Sequence, residues 1–435
     1  MRVLVIGGRF NNDDCEAYNG YAVAVRDITR SVGEHVETYV LPIEPRLPTL
    51  VKKRHMDDKI TLLPRFFSWS LIYNSILDLK TSLESVEPYV PNAGGYGKAL
   101  KRIWRTALYS IEYSYNYNLI ERLIDRLKPD LIHIHGFTLA QLPYFISSFE
   151  KGVPLIATAH GLNSIDNKGN LWFDVKLEAD LFKRMDESAN TITVVSSGVK
   201  KDAISHFGIS SDNIHVVVNG INQSRFKTIY SMSKAELRDK YGLQQEKKII
   251  LSVGSICKRK NQEAVLDALI TMDSAQRTHL LYLIVGSGDS SSLHKKIIEN
   301  ELNDCVRIIG RVSDATLGDI YSLSDILIHT ATSEGFGLVF LEAMAYGLPI
   351  ITYEDMQATN ELYDPDYMIL VPARNPSVLA RYIISAVNTS WDSNKIKKKT
   401  KHWNWGRIAE DYVELYYARI NRGEPFLTVK EIRKK

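Results

Sequence analysis

A chain of 435 residues, 45% apolar and 24% charged, is too long for one ordinary hydrophobic core, and two domains of about 200 residues each are expected. Those proportions are globular and exclude wholesale disorder. The net charge of +3 gives no general field for nucleic acid, so an anionic partner has to be met by a local patch.

The first expected strand is Arg2–Ile6, and the polar run Arg9 to Glu16 follows it too soon for a signal peptide. Gly7, Gly8 and Gly20 bracket the loop that follows. Their spacing is not Gly-x-Gly-x-x-Gly, so no NAD site is supported. Further β-branched, apolar runs fall at Val36–Leu41, Leu131–His135, Leu155–Ala159, Thr191–Val195 and Ile214–Val218. Between the second and third lies an irregular stretch, about 42–100, holding Pro42, Pro45, Pro48, Pro64, Pro88 and Pro91. Two basic amphipathic patterns occur near it. In one, Phe66, Trp69, Tyr73, Ile76 and Leu77 follow Lys52, Lys53, Arg54 and Arg65; in the other, Lys98, Lys101, Arg102 and Arg105 line a helix expected to bury Leu100, Ile103, Trp104 and Leu108. Such helices lie on anionic lipid or pack in a core with a solvated basic face, and both readings stand.

Strand logic breaks after Asn219-Gly220-Ile221-Asn222, which places a domain boundary near residue 223. After the helix Lys234–Tyr241, strands are expected at Ile249–Val253, Leu280–Val285, Val306–Ile309, Ile326–His329, Ile350–Thr352 and Met368–Leu370. Most runs are continuously apolar, as parallel strands covered on both faces should be. The fold expected is therefore α/β with two doubly wound sheets. A helix over Trp405 to Ile420 and a basic tail close the chain. Nowhere do about 18 apolar residues run together, so no spanning helix is expected. The three scattered cysteines, Cys15, Cys257 and Cys305, fit a reducing cytoplasm. A cytoplasmic protein, soluble or peripheral on the membrane, is the expectation.

The segment Ser333-Glu334-Gly335-Phe336-Gly337-Leu338, continuing to Glu342, joins an expected strand to a helix through glycines. Glycine lets the backbone approach a ligand, and a helix N-terminus offers N–H groups to an anion such as diphosphate. Glu334 and Glu342, separated by seven residues, can both look toward one cleft, and a carboxylate suits the vicinal diol of a ribose or hexose. The plainer reading is an acidic helix start that complements the dipole. It covers Glu334 but not the glycine-flanked pair. Asp364-Pro365-Asp366 could hold Mg²⁺, but the proline and the strand that follows make it an ordinary turn.

The Glu-x7-Glu segment resembles the signature of the retaining glycosyltransferases of group 1, which have the GT-B fold and build bacterial polysaccharides and glycolipids. Val253-Gly254 to Asn261, Val285-Gly286-Ser287-Gly288, Asn219 to Asn222 and Trp405-Gly406-Arg407-Ile408-Ala409 resemble further parts of that pattern. The resemblance implies two Rossmann-like domains facing a cleft: 1–222 for the acceptor, 223–400 for the nucleotide sugar, and 401–435 returning to the first.

It also implies roles for individual residues. Glu334 would contact the transferred sugar, Glu342 the donor ribose, and Lys260 the leaving diphosphate, where a fixed ammonium needs no metal. His160, ending a first-domain strand, would lie beside sugar and phosphate. His135 and Asn163 would face the acceptor side, with one of His133 and His135 only packed in the core. Gly20, Gly286, Gly335, Phe336, Gly337 and Leu338 would border the donor, and Gly310-Arg311-Val312 would present backbone to its base. Ser255 also falls in the donor loop. There the family usually carries Arg, so Lys258 or Arg259 is a candidate substitute. The implied activity transfers a sugar from a UDP- or GDP-sugar to a glycan or lipid-linked acceptor, with no cofactor, metal or nucleic acid. Two other readings are a sugar-nucleotide epimerase of the same form and a non-catalytic nucleotide-sugar binder.

Overall fold

The computed structural model describes residues 1–8, 20–43, 54–57, 59–63, 79–86, 96–166, 175–222 and 232–421. The chain divides into two units: residues 1–218 with 405–435, and residues 219–404. The first crossing therefore precedes the turn near residue 223. Ile221 is already held in the second unit, where its N–H donates to the Trp403 carbonyl at 2.7 Å.

The first unit is built on β1 (Arg2–Ile6), β2 (Glu37–Leu41), β3 (Arg54–Asp57), β4 (Ile60–Leu62), β5 (Leu131–His135), β6 (Leu155–Ala159), β7 (Thr191–Val194) and β8 (Ile214–Val216). They form one sheet in the order β3-β4-β2-β1-β5-β6-β7-β8, parallel except for the β3–β4 pair. The stretch expected to be irregular thus supplies, in its described residues, a hairpin at the sheet edge. Ile60 pairs with Thr38 and Leu62 with Val40, and Ile60, Leu62 and Val40 share a small core. A three-residue strand is too short to announce itself by periodicity.

The second unit carries β9 (Lys248–Val253), β10 (Leu280–Val285), β11 (Val306–Gly310), β12 (Ile326–His329), β13 (Ile350–Tyr353) and β14 (Met368–Val371). The order is β11-β10-β9-β12-β13-β14, and every pairing is parallel. Its core joins Ile250, Tyr282, Ile284 and Ile328 to Val265, Leu269 and Ile383 of flanking helices. Both units are doubly wound, as the continuous apolar runs require.

In each sheet the winding reverses once, between β1 and β5 in the first and between β9 and β12 in the second. Loops leaving the carboxyl ends of two such strands diverge and open a crevice for ligands. The helix Trp405–Ile420 belongs to the first unit. Its Trp405, Ile408, Tyr412, Val413 and Tyr416 are buried with Val3, Val5, Ile28 and Val32.

The helix Tyr96–Leu127 corrects one expectation. Leu108, expected in the core, is 62% exposed. Ser110, two residues on and thus about 200° around the helix, is fully buried instead. The side chains of residues 96–105 and the whole 64–78 segment lie outside the described residues. Among those described, no helix is long and apolar enough to cross a membrane.

Candidate functional site

The loops after β9 and β12 are stitched together at the second unit's reversal point. The Thr332 N–H donates to the Arg259 carbonyl at 2.8 Å, and the Thr330 hydroxyl donates to the Asn261 carbonyl at 2.7 Å. Lys260, between these two anchors, is carried toward the other loop and pairs with Glu334. Arg259 Nη1 donates to the Ser333 carbonyl at 2.8 Å and lies 3.6 Å from Glu334 Oε2. His329, the last residue of β12, places Nε2 at 3.3 Å from the same oxygen, outside hydrogen-bond geometry. The sequence reading passed over His329. Its signal was available: a histidine at the carboxyl end of a strand, five residues before the acidic loop.

One carboxylate thus meets three nitrogen-bearing side chains, and the Lys260 and Glu334 side chains are only 14% and 17% exposed. Burial alone would raise the Glu334 carboxyl. The Lys260 charge, with His329 and Arg259 behind it, reverses that and holds the group well below the usual carboxylate range. Burial, then the same lysine, lowers His329 against the pull of Glu334, which leaves its ring neutral at pH 7.

The helix Leu338–Tyr346 starts from Gly337, whose φ of 78° suits glycine. A β-carbon there would come within 2.9 Å of the Phe340 ring. Glu342, on the second turn, accepts from Tyr321 Oη at 2.8 Å. Tyr321 is itself stacked on Tyr346 at 5.1 Å.

In the first unit, Gly7 and Gly8 leave β1 beside His135, which ends β5. Tyr21 bridges them: its hydroxyl accepts from the Gly8 N–H at 3.3 Å and donates to the His135 carbonyl at 3.0 Å. His160 follows β6, and its Nε2 lies 3.1 Å from His135 Nδ1. His133 is the histidine committed to the core. Its Nδ1 is 2.7 Å from Tyr416 Oη and its Nε2 is 2.7 Å from Thr158 Oγ1.

Residues 233–403 match the family model of the glycosyl transferases group 1, and residues 87–225 match that of glycosyltransferase family 4. Two successive parts of the chain thus match glycosyltransferase family models, and the fold is of the GT-B type. An uncharacterized glycosyltransferase of Methanocaldococcus jannaschii is 27% identical over 302 residues, 66% of this chain and 75% of that protein. A D-inositol 3-phosphate glycosyltransferase of Catenulispora acidiphila is 27% identical over 67% of this chain and 71% of its own length. Among solved structures, Anabaena HepE in complex with UDP shares the fold with a TM-score of 0.65. It is 16% identical and covers 96% of this chain and 100% of its own.

The other expected site residues fall as follows. Gly286 and Ser255 lie on loops that continue β10 and β9 side by side, since the Gly254 N–H donates to the Val285 carbonyl and the Ile256 N–H to that of Ser287. Ser255 is exposed, as is Lys258, whereas Arg259 is turned toward Glu334. Arg311 and Val312 follow β11; Gly335 and Phe336 are buried in the acidic loop. Gly20 opens the helix Gly20–Gly33. Asn163 opens a short helix after His160, where its N–H donates to the buried Glu178 carboxylate at 2.9 Å. Asp364 and Asp366 are spent on Lys399 and Lys395, which fits the turn they were read as.

Burial lowers the three first-unit histidines together, His160 to about 4, His133 to about 3, and His135 well below its ordinary value. As pH falls through 6.5 the unfolded chain takes up protons that the native one refuses, so stability must fall toward acid. Each histidine contributes about 1.4 kcal/mol per pH unit until its own native pKa is reached. Glu334, lowered in the fold, loses its contribution in the same direction below about pH 4.5. Urea midpoints at pH 7 and pH 5 should therefore differ strongly; equal midpoints would contradict the buried neutral rings.

Proposed function

We propose that the protein is a retaining glycosyltransferase that uses a nucleotide-diphosphate sugar without a metal, with a glycan or lipid-linked acceptor of cell-surface polysaccharide or glycolipid synthesis. The observation that carries this reading is Lys260 and Glu334, pinned by two stitched loops at the reversal point of the second sheet. An ammonium has three donors, so Lys260 can keep Glu334 and still offer hydrogens to a diphosphate oxygen. Negative charge grows on that oxygen as the sugar leaves, and a fixed cation in a half-buried site stabilises it where a metal otherwise would.

Glu334, held well below the ordinary carboxylate range, is a poor proton acceptor at neutral pH. It serves to orient sugar hydroxyls, and the acceptor's proton goes to the departing phosphate oxygen. Attack on the face that the phosphate leaves retains the anomeric configuration. Glu342, steadied by Tyr321, takes the donor ribose.

UDP, which Anabaena HepE binds, is the first probe. UDP-sugars should raise the melting temperature, and transfer should survive EDTA with the anomeric configuration unchanged by NMR. Glu342→Ala should weaken UDP binding about tenfold, in line with the loss of a charge-assisted hydrogen bond. Activity abolished by EDTA and restored by Mg²⁺ would refute the metal-free reading. An inverted product would refute retention.

A further inference from the structure

Lys260 and His329 reach for one oxygen. Lys260 pairs with Glu334 Oε2, and His329 Nε2 lies 3.3 Å from that same atom without making a hydrogen bond. This nitrogen is buried and has no other partner among the described residues. Buried polar groups are nearly always satisfied, and an exception calls for a physical reason. Here the reason is competition. The ammonium turns the carboxylate to itself, and the imidazole is left beside it with nothing to bond.

The tautomer follows from the same contact. The His329 ring is neutral, so one nitrogen carries a hydrogen and the other a lone pair. A bare Nε2 would set its lone pair against an ionised carboxylate oxygen in a low-dielectric interior, whereas an Nε2–H is attracted to it. The Nε2–H form is the one the site selects.

Histidine and glutamate are also held differently. His329 ends β12 in register with Thr352 of β13, and its carbonyl accepts from the Thr352 hydroxyl at 2.9 Å. Its ring meets the buried Phe340 ring edge-on, with centroids 5.1 Å apart. Glu334 sits in a loop, where its N–H has a long bond of 3.4 Å to Gln357 Oε1. Arg259, 3.6 Å from Oε2, is already donating to the Ser333 carbonyl. If the ammonium loosens its hold, the histidine is the buried donor within reach, and the carboxylate is the part that can turn.

We propose that His329 is a positioning residue whose neutral Nε2–H takes over Glu334 as the leaving diphosphate draws on Lys260, so that the carboxylate keeps its aim at the sugar while the bond breaks. The occasion for this handover rests on the proposed function; the tautomer and the competition for Oε2 do not.

Nitrogen-15 and proton spectra of the histidine side chains of the full chain test it without ligand, with His329→Gln assigning the signal. At slightly alkaline pH, where Glu334 is ionised, His329 should show a protonated Nε2 and a bare Nδ1; the opposite tautomer would overturn the proposal. In Lys260→Ala the competitor is gone, so the Nε2 proton should move downfield as it bonds to Glu334. An unmoved proton would refute the handover. Two further variants separate positioning from packing. His329→Gln keeps an N–H near the Nε2 position and should hold kcat within about threefold. His329→Leu keeps bulk without a donor and should lower kcat at least about tenfold, the scale of one lost hydrogen bond. The KM for the donor should change little, because the contact at stake is with Glu334 and not with the ligand. Equal kcat in both variants would leave only packing and refute the role. Should the wild-type protein transfer no sugar, the functional reading fails, while the ligand-free spectra still decide the tautomer and the competition.

Discussion

Lys260→Ala slows sugar transfer about a hundredfold, equivalent to about 3 kcal/mol of lost transition-state stabilisation, with a smaller effect on donor binding. The split follows from where charge develops: the leaving phosphate gains it as the bond breaks, so the ammonium matters more in the transition state than before it. The variant should also show a second change. Without Lys260, burial acts on Glu334 against only Arg259 and His329, its carboxyl titrates higher, and the acid limb of the pH–rate profile moves toward neutrality. Lys260→Arg should recover part of the rate, because a planar fork does not replace a compact ammonium between two anchored carbonyls. Lys258→Ala, at an exposed position, should be close to neutral. Arg259→Ala should fall between, since its guanidinium braces the Ser333 carbonyl beside the Glu334 carboxylate. Normal rates in all three alanine variants would place the phosphate elsewhere.

Gly286→Ala should cost the second unit more than about 4 kcal/mol, the range reserved for hard structural conflicts. At its φ of 153° an added β-carbon would stand 1.8 Å from the Gly254 carbonyl oxygen and 2.7 Å from its carbon. Neither backbone can yield easily. The Gly286 N–H donates to the Gly310 carbonyl, and the Gly254 N–H to that of Val285, each at 2.9 Å. Gly242→Ala is the control in the same unit. It has φ of 60° and nothing within 4 Å of the new carbon, so it should pay only the left-handed backbone penalty of about 1–2 kcal/mol. Denaturant midpoints that fall equally for the two would show that the close approach is not what demands glycine.

Much of this was legible in the sequence because buried parallel strands announce themselves as continuous apolar runs. Arg2–Ile6, Leu131–His135, Leu280–Val285 and Ile326–His329 were expected with the bounds observed. The hairpin at 54–62 was not, since its strands span four and three residues and the prolines around it, Pro48 and Pro64 among them, argued for irregularity. In the site, the glycine-flanked acidic loop and the basic run after β9 could be read from residue type and spacing. What could not be read was who meets whom. That Glu334 gathers Lys260, Arg259 and His329 depends on two loops brought together by strands 76 residues apart along the chain, where the Ser252 hydroxyl donates to the Ile328 carbonyl. His133 and His135 share a face and are indistinguishable by pattern. Only the packing of Tyr416 against one of them separates the structural histidine from its neighbour.

The return of Trp405–Ile420 to the first sheet also sets an order of assembly during synthesis. Residues 219–404 carry a complete sheet and core of their own and can close as soon as they emerge. The sheet begun by β1 cannot, for the side chains that cover Val3, Val5 and Ile28 belong to the last helix described. At roughly 5–20 residues per second, on the order of 10–40 s separates the end of the first segment from the arrival of that helix. Throughout this interval the nascent N-terminal sheet stands with one apolar flank uncovered. The part of the chain translated first is therefore the part whose core closes last.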